Sequence, residues 1–147
     1  MLLLAAHEQA LCGLWFEHQK GIPDWAVQAR PVEQHTMLDM ATEQLKSYFN
    51  GQRAGFDLPL DLTTGTPFQQ AVWQALQSIV CGETTSYGDV ARRIGKPSAV
   101  RAVGGAVGRN PIGIIVPCHR VVGQDGALTG YTGGLDRKIA LLRLESA

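Results

Sequence analysis

The sequence predicts a mixed α/β (α+β) chain: a small N-terminal α/β unit with a short sheet, then a mostly helical unit containing a helix-turn-helix. Three observations carry this. The short apolar run Ala10 to Phe16 reads as a strand. Apolar residues recur at helical spacing over 32–49 and again from Phe68 to Ile79. Two short helical stretches, Tyr87 to Ile94 and Ser98 to Arg109, are joined by a three-residue turn. With 147 residues, 45% hydrophobic and 18% charged, the chain can build one compact domain or two small ones sharing a core.

Taken in order, Ala10-Leu11-Cys12-Gly13-Leu14-Trp15-Phe16 is the first strand, and Trp25-Ala26-Val27 reads as another. A helix over 32–49 places Met37, Met40, Ala41, Leu45, Tyr48 and Phe49 on its apolar side and ends at Asn50-Gly51. Phe56 to Leu62 is extended. Thr63-Thr64-Gly65 divides the chain into units 1–62 and 63–147. Thr66 then caps a helix, with Pro67 at its first position and Gln69 three residues on. Gly95 stops the helix that begins at Tyr87, and Ser98 is expected to cap the next one. Ile112-Gly113-Ile114-Ile115-Val116 reads as a buried strand, and Leu135 to Leu144 as a final helix.

Composition narrows the function classes. No run of ~20 apolar residues is present, so no helical membrane span is expected, and Met1 to Ala6 lack the basic region of a signal peptide. Cys12, Cys81 and Cys118 form no C-x-x-C pair, which argues against a disulfide framework or a zinc ribbon. Reduced thiols and a cytoplasmic location are expected. The net charge of zero hides a split. Residues 1–62 hold four basic and eight acidic residues, residues 63–147 nine basic and five acidic. Arg92, Arg93, Lys96, Arg101 and Arg109 fall in one stretch without an acid. Such a split fits a polyanion partner or a merely solvated basic face.

The second helix of the pair is unusual. On a helical wheel Val100, Val103 and Val107 face the core, and Ala102, Gly105 and Arg109 lie opposite, flanked by Arg101 and Ala106. A glycine inside a helix costs about 1 kcal/mol relative to alanine. Close approach of the helix backbone to another surface is a reason to accept that cost, whether the surface is a DNA minor groove about 6 Å wide or another helix.

Pro117-Cys118-His119-Arg120-Val121 holds the reactive chemistry. A thiol with a pKa near ~8.5 is mostly protonated at neutral pH, and an imidazole beside it can raise the thiolate fraction. In extended backbone the two side chains would point to opposite faces, so a water would have to link them. Glu145 is a candidate partner for His119. An inert buried cysteine beside a surface histidine is the alternative.

The spaced motifs Gly65-Thr66-Pro67-Phe68-Gln69, Ser86-Tyr87-Gly88, Arg101-Ala102-Val103-Gly104, Asn110-Pro111, Val116-Pro117-Cys118-His119-Arg120-Val121 and Gly130-Tyr131-x-Gly133-Gly134 occur in order. Together they resemble the O6-alkylguanine-DNA alkyltransferases, the methylated-DNA–protein-cysteine methyltransferases, over residues 65–145. The resemblance implies an N-terminal structural unit and a C-terminal DNA-binding, alkyl-acceptor unit. It implies single-turnover repair of O6-alkylguanine, with O4-alkylthymine a second candidate lesion. Cys118 would accept the alkyl group, activated by His119 through a water and by Glu145. Asn110 would brace the turn, and Tyr87 would assist the leaving guanine. Arg101 would fill the stack left by a flipped nucleotide, with Ser98, Ala102, Gly105 and Ala106 against the duplex. Val116, Pro117, Tyr131, Thr132, Gly133 and Gly134 would form the alkylguanine pocket, Thr132 bonding the base. The resemblance implies double-stranded DNA as partner, a monomer in solution, and neither metal nor cofactor; His7, Cys12, His18 and His35 do not make a zinc site.

Against the family pattern, the start leaves little room for a first strand, Val80 stands in place of a proline, and Ile139-Ala140 replace a bulkier segment. The alternative within the resemblance is a non-catalytic, alkyltransferase-like binder of damaged DNA, which Cys118 opposes. A cysteine hydrolase would place its base far from the nucleophile in sequence. A sequence-specific regulator would need side chains that read base edges, which the second helix has few of.

Overall fold

A computed structural model describes residues 1–32, 34–128 and 130–146 of the chain. Strands β1 (Leu2–His7) and β2 (Ala10–Phe16) pair antiparallel, Leu2 opposite Phe16 through His7 opposite Ala10, with a bulge at Ala5/Ala6. The opening residues therefore form a first strand, for which little room was expected. Isolated bridges extend this small sheet: Leu11 with Leu60 and Leu14 with Ile112.

Helix α1 (Asp24–Gln28) replaces the strand expected at 25–27. Pro23 starts the single turn, and Trp25 meets the edge of the Trp15 ring at 6.0 Å. Helix α2 (Thr36–Phe49) begins later than the expected position 32, because the His35 ring accepts from the Met37 amide and caps it there. Its buried stripe is Met37, Ala41, Leu45 and Tyr48, while Met40 and Phe49 are exposed.

Helix α3 (Pro67–Leu76) has the expected capping box between Thr66 and Gln69. Strand β3 (Thr85–Ser86) leads directly into α4 (Tyr87–Arg93), where the Ser86 hydroxyl accepts from the Asp89 amide. Gly95 follows with φ +76°, a conformation glycine adopts without strain. Helix α5 (Val100–Gly108) starts after Ala99, and Ser98 makes no cap. One residue of offset places the Ser98 hydroxyl outside the N-cap position. Helices α3, α4 and α5 pack mutually, with α4 and α5 as the helix-turn-helix.

Ile112 and residues 114–116 are buried, but the segment is not a strand. The Asn110 side chain accepts from the Ile112 amide and donates to the Val116 carbonyl, closing the segment into successive turns. Ile114 sits in one of them with φ +69°, a strained conformation for a β-branched residue that its near-complete burial helps to hold. Pro117 (φ −82°, ψ 65°) centres a three-residue turn, with the Cys118 amide on the Val116 carbonyl at 2.8 Å. Cys118–Arg120 form one 3-10 turn, and β4 (Val121–Val122) pairs in parallel with β3. Helix α6 (Leu135–Glu145) returns across this turn.

The architecture is mixed α/β, and a single core runs through it. Leu11, Leu14, Leu45 and Tyr48 from the first 62 residues join Val72, Leu76, Val103, Ile112, Val116 and Leu141. The backbone of β2 also holds the loop before the Cys-His pair: Leu14 N–H donates to Pro111, and Gly113 N–H donates to Leu14.

Candidate active site

The 3-10 turn changes the expected geometry of Cys118 and His119, which are not in extended backbone. At about three residues per turn, consecutive side chains diverge by about 120°. Cys118 lines a cavity of about 430 Å³ together with Tyr87, Gly104, Asn110, Tyr131, Thr132 and Gly133. Asn110 and Tyr131 are its polar neighbours there. Burial pushes the Cys118 thiol up, and these two side chains and the charge of Lys138 pull it partly back.

His119 points the other way and is fully buried. Its Nε2 lies 2.7 Å from Oε2 of Glu145, which comes from the last residue of α6. Arg120 Nε donates to Oε1 at 2.9 Å and its Nη2 to Oε2 at 2.8 Å. Arg120 Nη1 also donates to the Ile79 carbonyl. The Tyr48 hydroxyl donates to Oε2 at 2.6 Å. Burial alone would raise the Glu145 carboxyl, but the bonds from His119, Arg120 and Tyr48 outweigh it and hold the group down at about 2. Glu145 is therefore an anion and can only accept. The neutral His119 then carries its hydrogen on Nε2 and its lone pair on Nδ1. That Nδ1 is buried and has no hydrogen-bond partner among the described residues. Burial pushes the imidazole pKa down, against the raising pull of Glu145.

Of the other expected pocket residues, Val116, Pro117 and Gly134 lie outside this cavity lining. Val116 is fully buried and supplies the carbonyl that Asn110 bonds. Pro117 lines a second cavity, on the Arg120 and Cys81 side. Gly134 is exposed, turning the chain into α6 with φ +104°. Thr132 lines the cavity and donates its hydroxyl to the Gly108 carbonyl at 2.7 Å, which ties this loop to the end of α5. Gly133 is required by space, since a Cβ there would lie 2.7 Å from both the Phe16 and Tyr131 rings.

On α5 the wheel needs two corrections. Val100, expected in the core, is exposed because it begins the helix. Ala106, expected on the outer flank, is 3% exposed and its carbonyl accepts from the Trp73 indole at 2.8 Å. The exposed face is Arg101, Ala102, Gly105, Gly108 and Arg109, and a Cβ on Gly105 would meet nothing within 4 Å. Arg120 and Lys138 are buried, so two of the nine basic residues of 63–147 add nothing to a surface patch. Arg92 is paired with Asp89.

Sequence reading missed three residues of the site. Lys138 is fully buried and donates to the Val121 carbonyl at 2.7 Å; it lies on the α6 stripe with Leu141 and Glu145. Arg120 sat in the motif without a role. Tyr48 sat on the apolar stripe of α2, and a buried phenol hydroxyl there implies a polar partner.

Comparison with known proteins places this geometry. A family model described as 6-O-methylguanine DNA methyltransferase, DNA binding domain, matches residues 67–147, and one described as its ribonuclease-like domain matches residues 1–62. A methylated-DNA–protein-cysteine methyltransferase of Methanosarcina mazei is 49% identical over 148 residues, 98% of this chain and 89% of the relative. One from Mycolicibacterium paratuberculosis is 61% identical over 105 residues, 71% of this chain; that match spans 63% of the relative's length. The crystal structure of Mycobacterium tuberculosis OGT in complex with DNA is similar at a TM-score of 0.88 and 49% identity, over 99% of this chain and 86% of the other. On these matches, and with the paired Cys118 and His119 set as described, the chain belongs to the 6-O-methylguanine DNA methyltransferase family.

Proposed function

We propose that this protein repairs O6-alkylguanine in double-stranded DNA by moving the alkyl group onto its own Cys118, once per molecule. The observation that carries the reading is the adjacency of a buried thiol at a cavity wall and a buried His119 whose Nδ1 has no partner among the described residues. A base in a duplex cannot reach such a sulfur, so the damaged nucleotide must leave the stack. The α5 face suits that approach. Ala102 and Gly105 let the helix lie close to the minor groove, Arg101 is placed to enter the stack, and exposed Arg93, Lys96 and Arg109 add phosphate contacts. Ala106 supports this helix from inside.

The thiol proton passes to His119 Nδ1 through a bridging water, which also meets the hydrogen-bonding need of that atom. Glu145 and Arg120 hold the imidazole for this role. The sulfur attacks the alkyl carbon, a carbon–sulfur bond forms, and the carbon–O6 bond breaks with its electron pair left on guanine. Tyr87, at the cavity wall, supplies a proton to the departing base. The proton on His119 then replaces it through solvent, so one proton moves from thiol to guanine overall. A thiolate released from a raised pKa is the stronger nucleophile. The thioether has no carbonyl for water to attack, so Cys118 is consumed.

Intact-mass measurement after mixing with an equimolar O6-methylguanine duplex tests this. One added methyl group, mapped to the Cys118 peptide and saturating at one per protein, is expected. Binding of the duplex without any adduct would overturn the transfer reading in favour of a damage-binding protein.

A further inference from the structure

The carboxylate that orients His119 takes a hydrogen bond from the other end of the chain. Tyr48 is on α2, 97 residues from Glu145, and is 2% exposed. Among the described residues it is the side chain of 1–62 that bonds this network. Its ring is held independently, edge-on to Phe49 at 5.3 Å and tilted against Phe56 at 5.4 Å. The ring therefore has its place without the hydroxyl, and the hydroxyl is aimed at a single acceptor atom.

That atom is crowded. Oε2 of Glu145 receives Tyr48 at 2.6 Å, His119 at 2.7 Å and Arg120 at 2.8 Å, while Oε1 receives Arg120 Nε alone at 2.9 Å. A carboxylate oxygen offers about two lone-pair directions, so three donors on one oxygen compete. We propose that Tyr48 is a positioning residue for the transfer reaction: its hydroxyl shares Oε2 with His119 and so sets how strongly the carboxylate holds the imidazole N–H. The inference rests on the proposed roles of Cys118 and His119.

The direction follows from the competition. Without the hydroxyl, more of the carboxylate charge faces His119, the Nε2–H bond strengthens, and the imidazole becomes a stronger base. The other ionisable groups around the network are Arg120 in the 3-10 turn, Lys138 on α6, Cys81 after α3, Cys118 beside His119 and Tyr131 beside Cys118. Tyr48→Phe leaves all five in place, together with the aromatic packing.

The test compares the full-length wild type with Tyr48→Phe and with a packing control, Phe56→Leu. Methyl transfer from an O6-methylguanine duplex is followed across the titration range of histidine, with thermal unfolding of each protein. The acid limb of the rate profile should move to higher pH in Tyr48→Phe by roughly half a unit or more. In Phe56→Leu the melting temperature should fall and the acid limb should stay. Proton NMR of the unreacted proteins gives a second readout, in which Tyr48→Phe should move the His119 Nε2–H resonance downfield. A profile and a resonance that both coincide with the wild type, whatever happens to the melting temperature, would overturn the proposal. A wild type that transfers no methyl group would instead overturn the functional reading, and the resonance would still decide for or against Tyr48.

Discussion

The two sides of the Cys118–Arg120 turn are electrostatic opposites. On one side the sulfur meets neutral donors, Asn110 and Tyr131, and burial keeps the thiol protonated. On the other side Glu145 gathers Arg120, His119 and Tyr48, and its carboxyl is held far below the usual range. One residue of backbone separates these environments. A 3-10 turn does this because it points successive side chains in three directions. In the proposed reaction the nucleophile stays uncharged until a proton can leave, while the group that would receive the proton is kept in place by a permanent anion.

Removing the anion should have the largest effect. Glu145→Gln leaves the Arg120 guanidinium buried without its counter-charge, and a loss of ~3–5 kcal/mol is expected in urea unfolding. Transfer should slow by about tenfold or more, because the imidazole loses the negative charge that supports it as a base. A variant as stable as the wild type would mean that the charged side is not what holds α6 to the turn.

Acid should reach the same group more gently. The folded carboxyl, at about 2, lies below its ordinary 4.5. Its stabilising contribution is therefore complete above the unfolded value and is lost as pH falls from there toward the folded value. Roughly 3 kcal/mol is at stake, visible as a falling unfolding free energy in that window. Asp61 is also held down at about 2, by Thr63 and then His7, but it is partly exposed and should add little. An Asp61→Asn background separates the two.

The neutral side is tested by Tyr131→Phe. Loss of the hydroxyl should raise the thiol pKa and move its iodoacetamide reactivity to higher pH. Stability should change by only about 1 kcal/mol, since a single neutral polar group is removed. A fall as large as that of Glu145→Gln would erase the contrast between the two sides. The smallest effect belongs to the outer face of α5. Gly105→Ala enters open space and should gain about 0.5–1 kcal/mol of helix stability. Gly105→Leu fits the free protein equally well but should weaken duplex binding in an oligonucleotide titration, because the groove then meets a side chain.

Local signals were legible where local bonds decide the structure. The Thr66–Gln69 capping box, the Gly95 stop and the β2 run all follow from neighbours in sequence, and each formed as read. The segment 112–116 looked like a strand because its residues are apolar. Its turns come from one amide, Asn110, satisfying two backbone groups that no periodicity reveals. Trp25–Val27 became a helical turn started at Pro23, in which Ala26 is buried while Trp25 and Val27 stay exposed, so no ladder was needed to bury an apolar face. At the site, Cys118, His119 and Glu145 were named from motif and resemblance, whereas Lys138 and Tyr48 looked like ordinary members of helical stripes.

By itself the sequence determined the mixed α/β class, the helix pair with its small outer face, and the adjacency of thiol and imidazole. These depend on residue type and short spacing, which the chain carries openly. Only the tertiary structure decided which way His119 turns, that Ala106 faces inward, and that Tyr48 reaches Glu145 across 97 residues. Such contacts arise when elements distant in sequence compete to bury apolar surface and must then satisfy every polar group they enclose, and no single segment encodes the outcome.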